Sequence, residues 1–185
     1  MRPSVPLLCA CLSVSACTTA ESHQQLSDIF RSGVTAYDAG QYAQAYKIWT
    51  SIEDQDIAAM RNVAMMLRKG QGVAKNPKKA EEFYMQAAEL GLPTAQADLA
   101  DMLLKGEAGP PNPKAALPLL QAAAAANHPL AQYELGEMYE SGELVPKDLD
   151  IARSLYAKAA RHGVTEAGGR LAALGPPAGV QPAKP

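Results

Sequence analysis

The chain has 185 residues, 48% hydrophobic and 19% charged, with one Trp, seven Tyr and two Phe. This composition excludes collagen, an acidic disordered tail and a multi-span membrane protein. The 17 Lys+Arg against 19 Asp+Glu give a net charge of −2 and a pI near 5.9, which excludes a general nucleic-acid binder. The length suffices for one or two domains with a buried core.

The three cysteines, Cys9, Cys11 and Cys17, all fall within the first seventeen residues, so no disulfide framework can hold the body together. The same stretch has one basic residue, Arg2, followed by an apolar run over residues 5–14. That run is too short to span a bilayer as a stable helix and suits a signal h-region. It ends in Val14-Ser15-Ala16-Cys17, which resembles the lipobox of bacterial lipoproteins. The resemblance implies a signal peptide over 1–16, acylation of Cys17 and a linker over 17–25; an ordinary cleaved signal, with one n-region charge and Val14 where Leu is commoner, is the alternative. Two or three acyl chains, at about 0.8 kcal/mol per buried CH₂, hold a protein stably at a membrane. Thr18 after the Cys, by analogy with enteric lipoprotein sorting, implies the outer membrane with the protein facing the periplasm.

Residues 26–38 read as a helix, and Gly40-Gln41-Tyr42-Ala43-Gln44-Ala45 leads into Tyr46 and Trp49. Together 26–56 form a degenerate tetratricopeptide-like pair. Trp49 stands four residues after Ala45 as Tyr84 does after Ala80, which predicts a core position.

From residue 57 the chain repeats itself every 36 residues. Ala59, Ala95 and Ala131 align, as do Met66, Met102 and Met138; Gly70, Gly106 and Gly142; Ala80, Ala116 and Ala152; Ala87, Ala123 and Ala159. The copies occupy 57–93, 94–129 and 130–165. Each holds two helical patterns. In the third, Ala131, Leu135 and Met138 or Tyr139 form one helical face ending near Gly142 (helix A); Ile151, Ala152, Leu155, Tyr156, Ala159 and Ala160 form a second, stopping at Gly163 (helix B). Asn76-Pro77 and Asn112-Pro113 place a cap before a proline at the first helical position, and Asp148 is the equivalent cap in copy three. Small residues in fixed columns let helices approach closely. One short hairpin cannot hide its apolar faces alone, so neighbouring hairpins must stack. Ala167 and Leu171 continue the columns of Ala131 and Leu135, predicting a closing helix over 166–174, and Pro/Gly-rich 175–185 is expected to be disordered.

Ala131, Leu135, Gly136, Tyr139 and Gly142, followed by Val145, Asp148, Ala152, Leu155-Tyr156, Lys158-Ala159-Ala160 and Gly163, resemble the Sel-one-like repeat (SLR), a relative of the tetratricopeptide repeat. Copy one fits through Gly70-Gln71-Gly72-Val73 and Lys79-Ala80. Copy two departs at Ala100, at Gly109-Pro110-Pro111 and at Pro118. A proline inside a helix costs about 3 kcal/mol, so a kinked or frayed helix B is expected there. The resemblance implies an all-α, right-handed superhelical solenoid of antiparallel helix pairs whose A helices line a concave binding surface.

No Gly-x-Ser-x-Gly elbow, phosphate-cradling Gly loop, His-Glu-x-x-His or Cys/His metal spacing is present, and no enzyme, cofactor or small-molecule substrate is read from the chain. His23 falls in the linker; His128 and His162 fall at helix-B ends, where a cation suits the helix dipole. Asp98 and Asp101 share columns with Glu134 and Glu137, and in copy one these columns hold Asn62 and Met65. The copies grade from basic to acidic along the chain. The pattern reads either as a solvated helix face or as a stripe that selects a basic partner through encounter rate and orientation. Tyr133, Met65 and Met102 are candidate apolar anchors. The resemblance implies a scaffold that recruits another envelope protein, since some SLR lipoproteins serve exopolysaccharide export. Others are periplasmic immunity proteins that neutralise phospholipase toxins delivered by type VI secretion. Cysteine-rich SLR proteins have been proposed to act on cell-wall peptides or β-lactams, but this chain lacks their paired cysteines. Direct binding of peptidoglycan is a further alternative.

Overall fold

The computed structural model describes residues 11–176, with side chains from residue 22 onward, and every regular element among them is a helix. Residues 1–10, where the signal peptide is expected, and residues 177–185, expected to be disordered, lie outside the described residues, as does the side chain of Cys17. None of the described helices is long and apolar enough to cross a membrane. The chain divides into two compact units, residues 1–75 and 76–185.

The first unit holds α1 (Cys11–Asp38), α2 (Tyr42–Thr50) and α3 (Ile57–Lys69). With no proline between Cys11 and Asp38, α1 starts well before Leu26 and takes in the stretch expected as a linker. Trp49 is buried on α2, as its spacing predicts, with its ring centroid 6.2 Å from that of Phe30 and 5.8 Å from that of Tyr37. Its indole Nε1 donates to the Phe30 carbonyl at 3.2 Å, so the polar edge of the ring is satisfied inside. The Asp56 carboxylate caps α3 by accepting from the amides of Ala58 and Ala59.

The second unit holds α4 (Pro77–Glu89), α5 (Pro93–Lys105), α6 (Pro113–Ala125), α7 (Pro129–Ser141), α8 (Leu149–Arg161) and α9 (Thr165–Leu174), each packed on its successor. The predicted caps close the B helices: Asn76 accepts from the Lys79 amide, Asn112 from Ala115, and Asp148 from Asp150 and Ile151. The A helices end on Gly106 and Gly142, whose φ values of 67° and 81° only glycine adopts without strain. The alanine columns are where the helices meet. Ala80, Ala116 and Ala152, then Ala87, Ala123 and Ala159, then Ala95, Ala131 and Ala167 are all fully excluded from solvent. Tyr84, Leu120 and Tyr156 fill the space beside them, each contributing about 1.5–3 kcal/mol through burial.

The sequence did not foresee one repeated contact. Gln96 and Gln132, one period apart, donate from Nε2 to the carbonyls of Ala88 and Ala124 at 3.3 and 3.1 Å, tying each A helix to the end of the preceding B helix.

The expected fraying of helix B in copy two is corrected. α6 runs unbroken through Pro118 and does not fray. Pro118 is exposed at the sixth position of the helix, and the carbonyl it leaves without its usual donor belongs to Lys114, which is also exposed; water there lowers the cost of the missing bond.

Candidate functional site

The carboxylates singled out in sequence meet in the second unit. Asp98 and Asp101 project from α5, and Tyr133, Glu134 and Glu137 from α7, all of them half-buried. Asp98, Asp101 and Glu134 line one cleft of about 250 Å³ together with Lys105 and His128. Glu134 also borders a second cleft of about 470 Å³, shared with Glu137, Glu140 and Arg170. Asn62 and Met65 stand half-buried on α3 of the first unit, where Arg61 Nη1 donates to Asn62 Oδ1 at 3.4 Å. Met102 is buried, so it is a core residue and not an anchor.

Charge is balanced unevenly across this face. On α5, Lys105 sits one turn after Asp101 and pairs with it at 2.8 Å. On α7, the residue one turn after Glu137 is Ser141, so the cation comes from α9 instead. Arg170 reaches Glu137 Oε1 at 3.0 Å and Glu140 Oε1 at 3.5 Å. The Tyr133 hydroxyl donates to Glu137 Oε1 at 2.9 Å, and the Tyr156 hydroxyl donates to Glu140 Oε2 at 2.6 Å. The two tyrosine rings pack with centroids 5.6 Å apart. Burial and these carboxylate partners raise both phenol pKa values, which keeps them protonated donors.

Glu134 is the outlier. Its Oε2 is buried without a hydrogen-bond partner. Desolvation, reinforced by the Asp101, Glu137 and Asp98 carboxylates and partly opposed by Lys105, pushes its pKa up to about 7. The carboxylate column therefore holds one acid poised to titrate near neutrality.

His128 corrects another expectation. It does not serve as a cation at a helix C-terminus; it is the N-cap of α7, with Nδ1 accepting from the Ala131 amide at 3.3 Å. His162 does stand at the end of α8.

Glu140 and Arg170 were not singled out in sequence, and Tyr156 was read only as part of the apolar stripe of helix B. Arg170 was the most accessible of the three, because it continues the column Asn62, Asp98, Glu134 by one more period, with its sign reversed. Among the described residues, no group of three or more His, Cys, Asp or Glu side chains is placed to hold a metal ion.

The Sel1 repeat model matches residues 57–92, 93–128 and 129–164, more than half of the chain. The chain belongs to the Sel1 repeat family. The matched boundaries differ from the sequence periods by one residue. This Sel1 repeat protein is similar to one from Oxalobacter formigenes at 31% identity and a TM-score of 0.73, covering 77% of this chain and 58% of the other. It is also similar to a protective antigen with an SLR fold present in uropathogenic Escherichia coli strains, at 27% identity and a TM-score of 0.73, covering 85% of this chain and 35% of that one. An immunity protein from Pseudomonas aeruginosa matches at 25% identity and a TM-score of 0.59, covering 80% of this chain and 58% of its own. The chain thus spans between about a third and three fifths of the length of these relatives. No curated protein matches it. The all-helical architecture accords with the Sel1 repeat family.

Proposed function

We propose that this Sel1 repeat protein is a non-catalytic adaptor, lipid-anchored through Cys17 and facing the periplasm, that captures a basic patch of an envelope protein on the carboxylate face of α5 and α7. One observation carries the reading. Asp98, Asp101 and Glu134 converge on a cleft in which Lys105 is the one lysine or arginine among the described residues, and Glu134 keeps a buried oxygen with no partner. A guanidinium or ammonium from outside would relieve that repulsion, so capture and the stability of the face are coupled.

The test is a photo-crosslinking residue on the exposed rim of α7, followed by mass spectrometry of the captured protein, with and without charge reversal of Glu134 and Glu137 to Lys. Capture should fall at least tenfold in the reversed variant; undiminished capture would dispose of the carboxylate face as the binding element. Membrane retention of Cys17→Ala tests the anchor separately, since an acylated Cys17 predicts release into the soluble fraction.

A second reading is favoured by the resemblance to the Pseudomonas aeruginosa immunity protein. On that reading the captured partner is a phospholipase toxin delivered by type VI secretion, and the complex is inhibitory. A tight one-to-one complex that abolishes the partner's activity would support immunity; recovery with several envelope proteins would support a scaffold.

A further inference from the structure

Away from the carboxylate face, α4 and α6 flank a groove of about 530 Å³ whose floor is made by Leu99 and Leu103 of α5. Its walls are apolar and open. Met85 on α4 is 45% exposed, and Ala115, Pro118 and Leu119 of α6 face it.

The repeat explains why the groove is here. One period on from Met85 stand Gln121 and then Ala157; the column of Pro118 holds Glu82 and Ser154; that of Ala115 holds Lys79 and Ile151. An exposed methionine therefore replaces a polar or small residue on one wall. On the other wall, an alanine stands where the other copies have lysine and isoleucine, and a proline where they have glutamate and serine. Of copy two's departures from the repeat, Pro118 falls on this wall, at an exposed position that the packing of the core does not require.

The charges lining the groove are both carboxylates, Glu81 and Glu89 on α4. They lie eight residues apart, about 12 Å along the helix. The spacing matches two basic side chains two turns apart on a helix lying beside α4, with the apolar residues between them directed at Met85 and Leu119.

We infer that the α4–α6 groove is a second docking surface, which takes an amphipathic helical segment of a partner protein carrying an apolar pair between two basic residues. Methionine suits such a surface because its flexible thioether adapts to the side chain it meets. The groove shares no lining residue with the clefts between α5 and α7, so the inference does not rest on the function proposed above.

The experiment uses the full chain with its methionine methyl groups isotopically labelled. The probe is a synthetic helical peptide of fourteen residues, with lysines at peptide positions three and ten, leucines at six and seven, and alanine and glutamine elsewhere. Titration should move the Met85 methyl resonance saturably while those of the buried Met66 and Met102 stay in place. A peptide with glutamates in place of the lysines should bind at least tenfold more weakly, and Glu81→Lys with Glu89→Lys should reverse that preference. Met85→Gln, which installs the residue type that copy two carries in this column, should keep the helical circular dichroism and lose binding of the fluorescently labelled peptide by at least tenfold. A Met85 methyl unmoved by either peptide would overturn the inference, as would equal binding of both. Movement of that methyl with protein concentration alone would also overturn it, assigning the groove to a second copy of the chain.

Discussion

The α5–α6 and α7–α8 hairpins descend from one repeat and differ in what they put at the same two core positions. In α5–α6 the pair is Ala100 and Leu120; in α7–α8 it is Gly136 and Tyr156, and all four are buried. A Cβ at Gly136 would lie 2.8 Å from Tyr156 Cε1, so the missing side chain is the space the ring occupies. The exchange is compensated: an aliphatic residue facing a methyl in one hairpin, an aromatic ring facing a bare helix backbone in the other. Only the aromatic version has a polar tip, and its hydroxyl reaches Glu140 at the rim of the larger cleft. Copy three thereby couples its core to the charged face. Copy two settles its charge within α5, through Asp101 and Lys105.

The largest effects should come from converting one pair into the other. Tyr156→Leu alone empties space beside Gly136 and removes the bond to Glu140, at a cost of about 3 kcal/mol. Gly136→Ala alone forces a methyl into a fully buried ring, and after the gain in helix propensity should cost about 2 kcal/mol. The double variant recreates the pair of copy two and should lose about 3 kcal/mol, not the sum, a coupling that denaturant unfolding can measure. Additive losses would mean that the two positions do not compensate.

A smaller effect separates the carboxylate columns. Copy two carries Asp98, whereas the longer Glu134 extends its Oε2 to a buried position without a donor. With its pKa raised to about 7 in the folded chain, against about 4.5 unfolded, Glu134 binds its proton more tightly when folded. Its favourable contribution is therefore complete below about pH 4.5 and is lost as pH rises through 7. Glu134→Gln should be more stable than the parent by about 2 kcal/mol at pH 8, a figure reduced for solvent screening, with the difference closing below pH 4.5. Thermal melts at the two pH values check this; a gap that does not change with pH would show that the carboxylate is not strained.

The backbone architecture was legible because its causes repeat. Alanines recur where helices touch, glycines where a left-handed turn ends helix A, and Asn or Asp where helix B begins, so a period of 36 residues reveals them together. The site was legible only in part. Asp98, Asp101 and Glu134 meet because successive copies set the same columns side by side, which a period can show. The donation from Tyr156 to Glu140 and the reach of Arg170 to Glu137 join different columns on different helices, and no spacing within one copy encodes such a crossing. His128 was misread for a local reason. It stands beyond the end of helix B and just before helix A, and only the Nδ1 bond to Ala131 shows which of the two helices it serves.

The smallest effect tests the remaining departure between the hairpins, Pro118 in α6 where α8 has Ser154. In a buried helix interior the exchange would be worth about 3 kcal/mol. Here the deprived acceptor is the Lys114 carbonyl in the first turn, Lys114 and Pro118 are both exposed residues, and proline also restricts the unfolded chain. Pro118→Ser should therefore stabilise the protein by only about 1 kcal/mol, raising the melting temperature by about 2–4 °C for a chain of this size. Amide exchange should slow in the first half of α6 and stay unchanged in α8. A gain close to the full helix-interior value would mean that the proline strains α6 after all, and that copy two keeps it at real expense to the fold.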